Sequence, residues 1–274
     1  MEIKVAIQGI LGSFHHQVAE KLYPKSVSIQ ECMTFNSLVN SILGGDAAIG
    51  IMALENSIAG SILPNYNLID ENDLQIIGEH YLDIDMNLMA LKDQKIEDIS
   101  EVHSHPIALL QCAVFFNKHP HIKIIESVDT AETAQRIKNN NLKGIAAVAS
   151  SVAAEMYDLE ILEKNIHTIK TNKTRFVIVK KNSEITLDNV NKASVKFSLL
   201  DTPGNLASIL NVLNDFGLNV TKIQSVPIIQ KPFEYAFFVD FIFKEYDSFL
   251  EVKSILETMT WELKLLGVYK NGNV

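Results

Sequence analysis

Ala47-Ala48-Ile49-Gly50-Ile51-Met52 is an unbroken apolar run lying between two stretches of helical periodicity. A strand that is apolar at every position has both faces buried, the mark of a parallel sheet covered by helices. The residues before it repeat that unit. Ile3-Lys4-Val5-Ala6-Ile7 reads as a strand, residues 14–22 as a helix, and Val27-Ser28-Ile29 as the next strand. Residues 35–43 form a second helix that Gly44-Gly45 terminates, and Pro64 is placed to open a third. Alternating strands and helices of this kind specify an α/β fold.

A second αβ unit follows. Tyr81-Leu82-Asp83-Ile84-Asp85-Met86 has period two, so residues 75–91 are expected to form a strand pair or one crossing strand. Val102-His103-Ser104 leads to a helix from Pro106, then Ile122-Lys123-Ile124-Ile125, then a helix from Thr130. Gly144-Ile145-Ala146-Ala147-Val148 and a helix to Tyr157 close the unit, and the chain returns through Asn165-Ile166 to a strand at Thr174. Two αβ lobes joined by two crossovers predict a two-lobed, periplasmic-binding-protein-like domain over 1–181, with lobes at about 1–78 plus 165–181 and 79–164. Ligands in such sheets lie beyond the carboxyl ends of strands, where the Gly9 loop, Glu55 and Ser104 fall. Residues 182–192 are polar and aperiodic, and read as a linker. Strands at 194–200, 218–226, 235–243 and 261–268, with helices at 204–216 and 248–259, give a ferredoxin-like βαββαβ domain over 193–274.

Charge narrows the partners. The net charge of -9 comes with no basic stripe, which argues against nucleic acid. The apolar stretches are too short for a membrane span, and Met1 runs straight into a strand, leaving no room for a signal peptide. Cys32 and Cys112 sit in unrelated segments, as expected of a cytoplasmic protein without disulfides. An anionic ligand must then be held by local donors such as helix-start amides and a single arginine.

Asn172-Lys173-Thr174-Arg175-Phe176 offers such a place, with a hydroxyl, a fixed cation and an aromatic at the entry to the apolar run Val177-Ile178-Val179. Strand alternation puts Thr174 and Phe176 on one face and Arg175 on the other. A buried arginine needs a carboxylate partner or an anionic ligand, and the local sequence fits either. Gly9-x-x-Gly12-Ser13 lacks the third glycine of a dinucleotide loop and reads as a helix start capped by Ser13. His103-x-His105 and His119-x-His121 lack the further ligands a zinc site needs, and Pro106 makes His105 a capped turn. None of Ser13, Ser57 and Ser104 lies in a nucleophile elbow, and Cys112 belongs to an apolar helix spanning 107–116. Glu55 suits either a helix cap or a cleft-lining carboxylate.

The run ending in Thr174-Arg175-Phe176 resembles the Thr-Arg-Phe signature of prephenate dehydratases. Gly9-Ile10-Leu11-Gly12-Ser13-Phe14-His15-His16 resembles that family's opening loop, and Glu55-Asn56-Ser57-Ile58-Ala59-Gly60 its Glu-Asn-Ser motif. Ser104-His105-Pro106-Ile107-Ala108-Leu109-Leu110-Gln111-Cys112 and Thr130-Ala131-Glu132-Thr133-Ala134 are similar to two further blocks, in the same order. Residues from about 193 resemble the ACT regulatory domain of these enzymes. His15, Met52-Ala53 and Ile107 depart from the pattern without touching Thr174.

The resemblance implies a cytoplasmic lyase that converts prephenate to phenylpyruvate, carbon dioxide and water in L-phenylalanine biosynthesis, with no cofactor and no metal. Thr174, Arg175 and Phe176 would form the catalytic strand. Ser13, Glu55, Asn56, Ser57, Ser104, Thr130 and Asn172 would bind substrate. Gly204, Asn205, Leu206, Asn219 and Ser225 would hold L-phenylalanine in a homodimer or tetramer. Gln224-Ser225-Val226-Pro227 stands where the family has Glu-Ser-Arg-Pro, and Asn205 where it has alanine, so weakened effector binding or coupling is expected. The alternatives are arogenate dehydratase and a non-enzymatic amino-acid sensor.

Overall fold

The computed structural model describes residues 3–24, 27–181, 188–200, 202–228, 231 and 234–272. Part of the expected linker (182–187), Asp201 and residues 273–274 lie outside this set. The chain divides into one unit of residues 1–62 and 81–176 and another of residues 63–80 and 177–274.

The strands come in chain order as β1 (Ile3–Gln8), β2 (Val27–Cys32), β3 (Ile49–Asn56), β4 (Gly60–Ser61), β5 (Leu74–Asp83), β6 (Asn87–Ala90), β7 (Glu101–Ser104), β8 (Lys123–Glu126), β9 (Ile145–Ala149), β10 (Glu160–Glu163) and β11 (Lys173–Lys181). Between them run α1 (Phe14–Leu22), α2 (Phe35–Gly44), α3 (Leu63–Glu71), α4 (Pro106–Gln111), α5 (Ala113–Phe116), α6 (Thr130–Asn139) and α7 (Ser151–Met156). The first sheet has the order β2-β1-β3-β11-β5, with β4 beside β3, and β1 pairs in parallel with both neighbours. β5 and β11 each continue from one unit into the other. The run from Ile49 to Leu54 is buried throughout, as its composition requires.

The second sheet has the order β10-β6-β9-β7-β8, parallel across β9-β7-β8 and antiparallel at β6 and β10. Its core is rich in small residues. Ala131, Ala134, Ala147, Ala149, Ala153 and Ala154 are all buried beside Ile10, Met89 and Ile137. Small side chains let α6 and α7 lie close on β9, so their N-termini are held to tight positions.

The chain passes between these two sheets twice, at Ile84–Met86 and near Ile166. Ile84 N–H donates to Asn172 O at 2.8 Å, Ile166 N–H to Met86 O at 2.8 Å, and Met86 N–H to His167 Nδ1 at 3.3 Å. The two crossovers are therefore bonded to one another.

In the second unit, β12 (Lys192–Ser198), α8 (Asn205–Asp215), β13 (Asn219–Pro227), β14 (Tyr235–Ile242), α9 (Tyr246–Met259) and β15 (Glu262–Tyr269) form a βαββαβ layer. Its antiparallel order is β13-β14-β12-β15. The core joins Phe197, Phe241, Phe243 and Phe249 with Ile209, Leu213 and Leu256. Beneath it Lys192 Nζ donates to both carboxylate oxygens of Glu79 at 2.9 Å, both side chains fully enclosed. Gly272 N–H also donates to Glu79 Oε1, at 3.1 Å.

Two local features differ from expectation. Glu55 and Asn56 stay in β3 and pair with Ser61 and Gly60, so no helix cap forms there. The helix expected over 107–116 breaks at Cys112, which separates α4 from α5.

Candidate active site

The site is built at the carboxyl ends of strands from both sheets of the first unit. β1 leads into the turn at Gly9 and Gly12, β3 ends at Asn56, β7 ends at Ser104, and β9 leads to Ser150. Gly9 and Gly12 have φ of +89° and +87°, a backbone that favours glycine. Side chains at both positions would meet the other lobe, with Asp129 Oδ2 at 2.9 Å from a Cβ on Gly9 and Ala153 Cα at 3.2 Å from one on Gly12.

A chain of amides surrounds Thr174. Asn56 Oδ1 accepts from the backbone N–H groups of Ile58 and Ala59 at 3.0 and 2.9 Å. That fixes the amide, so its Nδ2 donates to Asn172 Oδ1 at 2.6 Å and to Thr174 Oγ1 at 3.0 Å. Asn172 Nδ2 donates to Gln111 Oε1 at 2.9 Å, and Gln111 Nε2 returns to Asn56 Oδ1 at 3.5 Å. Thr174 Oγ1 is thus held as an acceptor, which leaves its hydrogen for another group. Polarisation along the chain strengthens that hydroxyl as a donor.

The family model for Prephenate dehydratase matches residues 5–184 of the sequence, the span that carries this amide–threonine chain. The chain belongs to the prephenate dehydratase family. It is 34% identical over 270 residues to the bifunctional chorismate mutase/prephenate dehydratase of Aquifex aeolicus, covering 98% of this chain and 74% of that protein. It is 35% identical over 279 residues to the chloroplastic arogenate dehydratase/prephenate dehydratase 2 of Arabidopsis thaliana, covering 97% and 72%. The prephenate dehydratase of Arthrobacter aurescens, solved in complex with L-Phe, shares the fold with a TM-score of 0.88 at 22% identity, over 99% of this chain and 91% of that one. As a prephenate dehydratase the chain is an enzyme, a lyase. Among the described residues no helix is long and apolar enough to cross a membrane.

The other residues that resemble the prephenate dehydratase motifs divide between the two walls. Ser57 Oγ accepts from Lys173 N–H at 2.9 Å and donates to Thr171 O at 3.2 Å, which ties β3 to the start of β11. Glu55 is half-buried in β3. Phe176 is buried edge-on to the His15 ring, with centroids 4.9 Å apart. Arg175 is buried as well and lies on the opposite face of β11 from Thr174. Ser13 caps α1 by accepting from His16 N–H at 3.2 Å. Ser104 is fully buried and donates to Val148 O at 2.6 Å, within its own sheet. Thr130 opens α6, whose cap is Asp129.

Contacts across the cleft involve residues outside the sequence expectation. Ser150 Oγ donates to Gly12 O at 3.0 Å, and Tyr157 Oη donates to Leu11 O at 2.6 Å. Gln111 sat inside a resembled block, yet only the fold brings its amide to Asn56 and Asn172. Burial pushes the Tyr157 hydroxyl up to about 12, aided by the nearby Glu31 and Asp129 charges. Burial also lowers His15 to about 3, and among the described residues its buried Nε2 has no hydrogen-bond partner.

The histidine pairs hold other posts. His105 caps α4 by accepting from Ile107 N–H at 3.2 Å. His103 lies between Glu101 Oε2 at 3.0 Å and Arg136 Nη2 at 2.9 Å. Among the described residues no three His, Cys, Asp or Glu side chains gather as a metal site.

In the βαββαβ layer, Gly204 has φ of +90° and caps α8, followed by Asn205 and Leu206 in its first turn. Asn205 Nδ2 donates to Leu200 O at 3.1 Å. Asn219 and Ser225 are exposed on the edge strand β13.

Proposed function

We infer that the cleft binds prephenate and drives its decarboxylative dehydration. The carbon–carbon bond to the ring carboxylate breaks and its electron pair enters the ring. The ring carbon–oxygen bond breaks, its electron pair leaves with the hydroxide, and the hydroxide takes a proton from the solvent to become water. Carbon dioxide and phenylpyruvate remain. Aromatisation drives both steps, so the chemistry calls for positioning and leaving-group assistance and for no cofactor.

One observation carries this reading. Asn56 holds the lone pair of Thr174 Oγ1, so the free hydrogen of that hydroxyl is available to the departing hydroxide. A threonine is too weak an acid for full proton transfer, so Thr174 acts as a polarising donor. Asn172 and Gln111 keep Asn56 in register. Phe176 anchors the strand under His15, and Arg175 secures its other face. Ser13, Glu55, Ser57, Ser104 and Thr130 shape the walls, and Ser13 and Thr130 stand at helix starts whose amides suit carboxylates. This catalytic domain spans 1–181 with a two-lobed, periplasmic-binding-protein-like architecture and operates in the cytoplasm.

Residues 182–192 link it to an ACT domain over 193–274, for which the βαββαβ order is the support. L-Phenylalanine binds there through Gly204, Asn205, Leu206, Asn219 and Ser225, at an interface between copies in a homodimer or tetramer. The L-Phe complex of the Arthrobacter aurescens protein is consistent with such a site.

Purified protein incubated with prephenate and developed in alkali should give the phenylpyruvate absorbance, before and after exhaustive chelation. No phenylpyruvate would favour the sensor alternative. Activity restored only by a divalent ion would refute the cofactor-free reaction.

A further inference from the structure

The loop between β1 and α1 spends its two kinds of backbone group on opposite lobes. Its N–H groups bond at home. Gly9 donates to Cys32 O at 2.8 Å, Leu11 to Glu31 Oε1 at 2.7 Å and Gly12 to His16 Nδ1 at 3.1 Å. The carbonyls of Leu11 and Gly12 accept from the other lobe, from Tyr157 Oη at 2.6 Å and Ser150 Oγ at 3.0 Å. Ser150 is the N-cap of α7 and Tyr157 its C-cap, so the two ends of one helix grip consecutive peptide units. Between them Gly12 lets the lobes meet, since a Cβ there would lie 3.2 Å from Ala153 Cα and 3.3 Å from Tyr157 Cε2.

Both donors are committed to this contact. Ser150 Oγ accepts from Ala153 N–H at 3.1 Å, which leaves its one hydrogen for Gly12 O. Burial, with the Glu31 and Asp129 charges, holds the Tyr157 hydroxyl up at about 12, so it keeps its hydrogen throughout the neutral range. Yet both bonds are neutral, and water replaces a neutral donor at a carbonyl with little net loss. The carbonyls can therefore be released to solvent while the N–H bonds keep the loop on its own lobe. Such a contact is of the kind that hinge closure makes and breaks.

We propose that α7 is a clasp on the cleft. Tyr157 and Ser150 are positioning residues that hold the two lobes together through Leu11 and Gly12, in the arrangement that binds substrate, and they do not touch the reacting atoms. This rests on the dehydratase reading of the same cleft. A clasp sets how often the binding arrangement is present, so its loss weakens apparent affinity. The chemistry of the saturated enzyme is left unchanged.

Tyr157→Phe removes one hydroxyl and keeps the ring against Gly12. Ser150→Gly removes the other and leaves a residue that still caps helices, while Ser150→Thr retains the hydroxyl. KM and kcat on prephenate are measured in the full chain for each. Beside them, electron–electron resonance reads the distance distribution between spin labels on Lys21→Cys and Asn139→Cys, exposed positions of opposite lobes. The native Cys32 and Cys112 are buried. Tyr157→Phe and Ser150→Gly should each raise KM about 3- to 10-fold, hold kcat within about 2-fold and broaden the distances, with Ser150→Thr matching wild type. An unchanged KM, a loss confined to kcat, unbroadened distances, or equal damage from Ser150→Thr and Ser150→Gly would each overturn the clasp, whatever the melting temperature does. Wild type inert toward prephenate would refute the dehydratase reading instead, and the distance distributions would then uphold or overturn the clasp by themselves.

Discussion

The proposed role of Thr174 requires its hydroxyl to point at the leaving group, and Asn56, which donates to Oγ1, sets that direction. Asn56→Asp replaces the donor at Nδ2 with an acceptor, so the Thr174 hydrogen would turn toward the new carboxylate. We expect kcat to fall by about 10–100-fold with a smaller change in KM, as for a misoriented catalytic donor. Steady-state kinetics on prephenate check this, and an effect confined to KM would contradict it. His15 gives a separate test in stability. Its imidazole is held neutral at about 3, while the unfolded chain titrates near 6.5. Its contribution is complete above pH 6.5 and is lost as pH falls toward 3, with a limiting slope of about 1.4 kcal/mol per pH unit. Urea midpoints at pH 7.5 and pH 4.5 should therefore drop further in wild type than in His15→Met. Parallel drops would show that His15 takes up its proton in the folded state. At this scale the sequence showed Ser13 and His105 as helix caps, because caps are local. The place of Gln111 was hidden. The Asn172–Gln111 bond spans 61 residues of chain, so no local pattern marks it.

The strands and helices themselves were largely legible, since period and glycine position act over a few residues. The β3–β4 hairpin escaped because Gly60 and Ser61 are too short a strand to show a period. The break at Cys112 escaped because residues on both sides of it are apolar and helix-compatible. β5 carries a feature that no local pattern marks, the enclosed Glu79 paired with Lys192. Removing one partner strands a buried charge, so Lys192→Met should cost about 3–5 kcal/mol. Lys192→Met combined with Glu79→Leu should recover most of that loss. Chemical denaturation of the single and double variants measures it, and an additive double variant would mean that the pair contributes no mutual stabilisation. Gly267 belongs to the same packing, because a Cβ there would lie 2.1 Å from Ile76 O.

At the scale of the molecule, sequence order indicated an α/β fold, and the three sheets followed from how strands with buried faces pair. If the βαββαβ layer is the phenylalanine sensor, millimolar L-phenylalanine should lower the initial rate and raise the melting temperature, with a coupling of about 1–3 kcal/mol. Both quantities unchanged, in a protein that sizes as a dimer by light scattering, would favour a role for the layer in dimerisation only. The central claim is that one free hydroxyl on Thr174 assists departure of the ring hydroxide. The most direct test is kcat for phenylpyruvate formation in wild type, Thr174→Ser and Thr174→Ala. A donor role predicts that Thr174→Ser keeps much of the rate, while Thr174→Ala loses about 10²-fold or more at nearly constant KM. Equal damage from the two substitutions, or a Thr174→Ala enzyme near the wild-type rate, would contradict it.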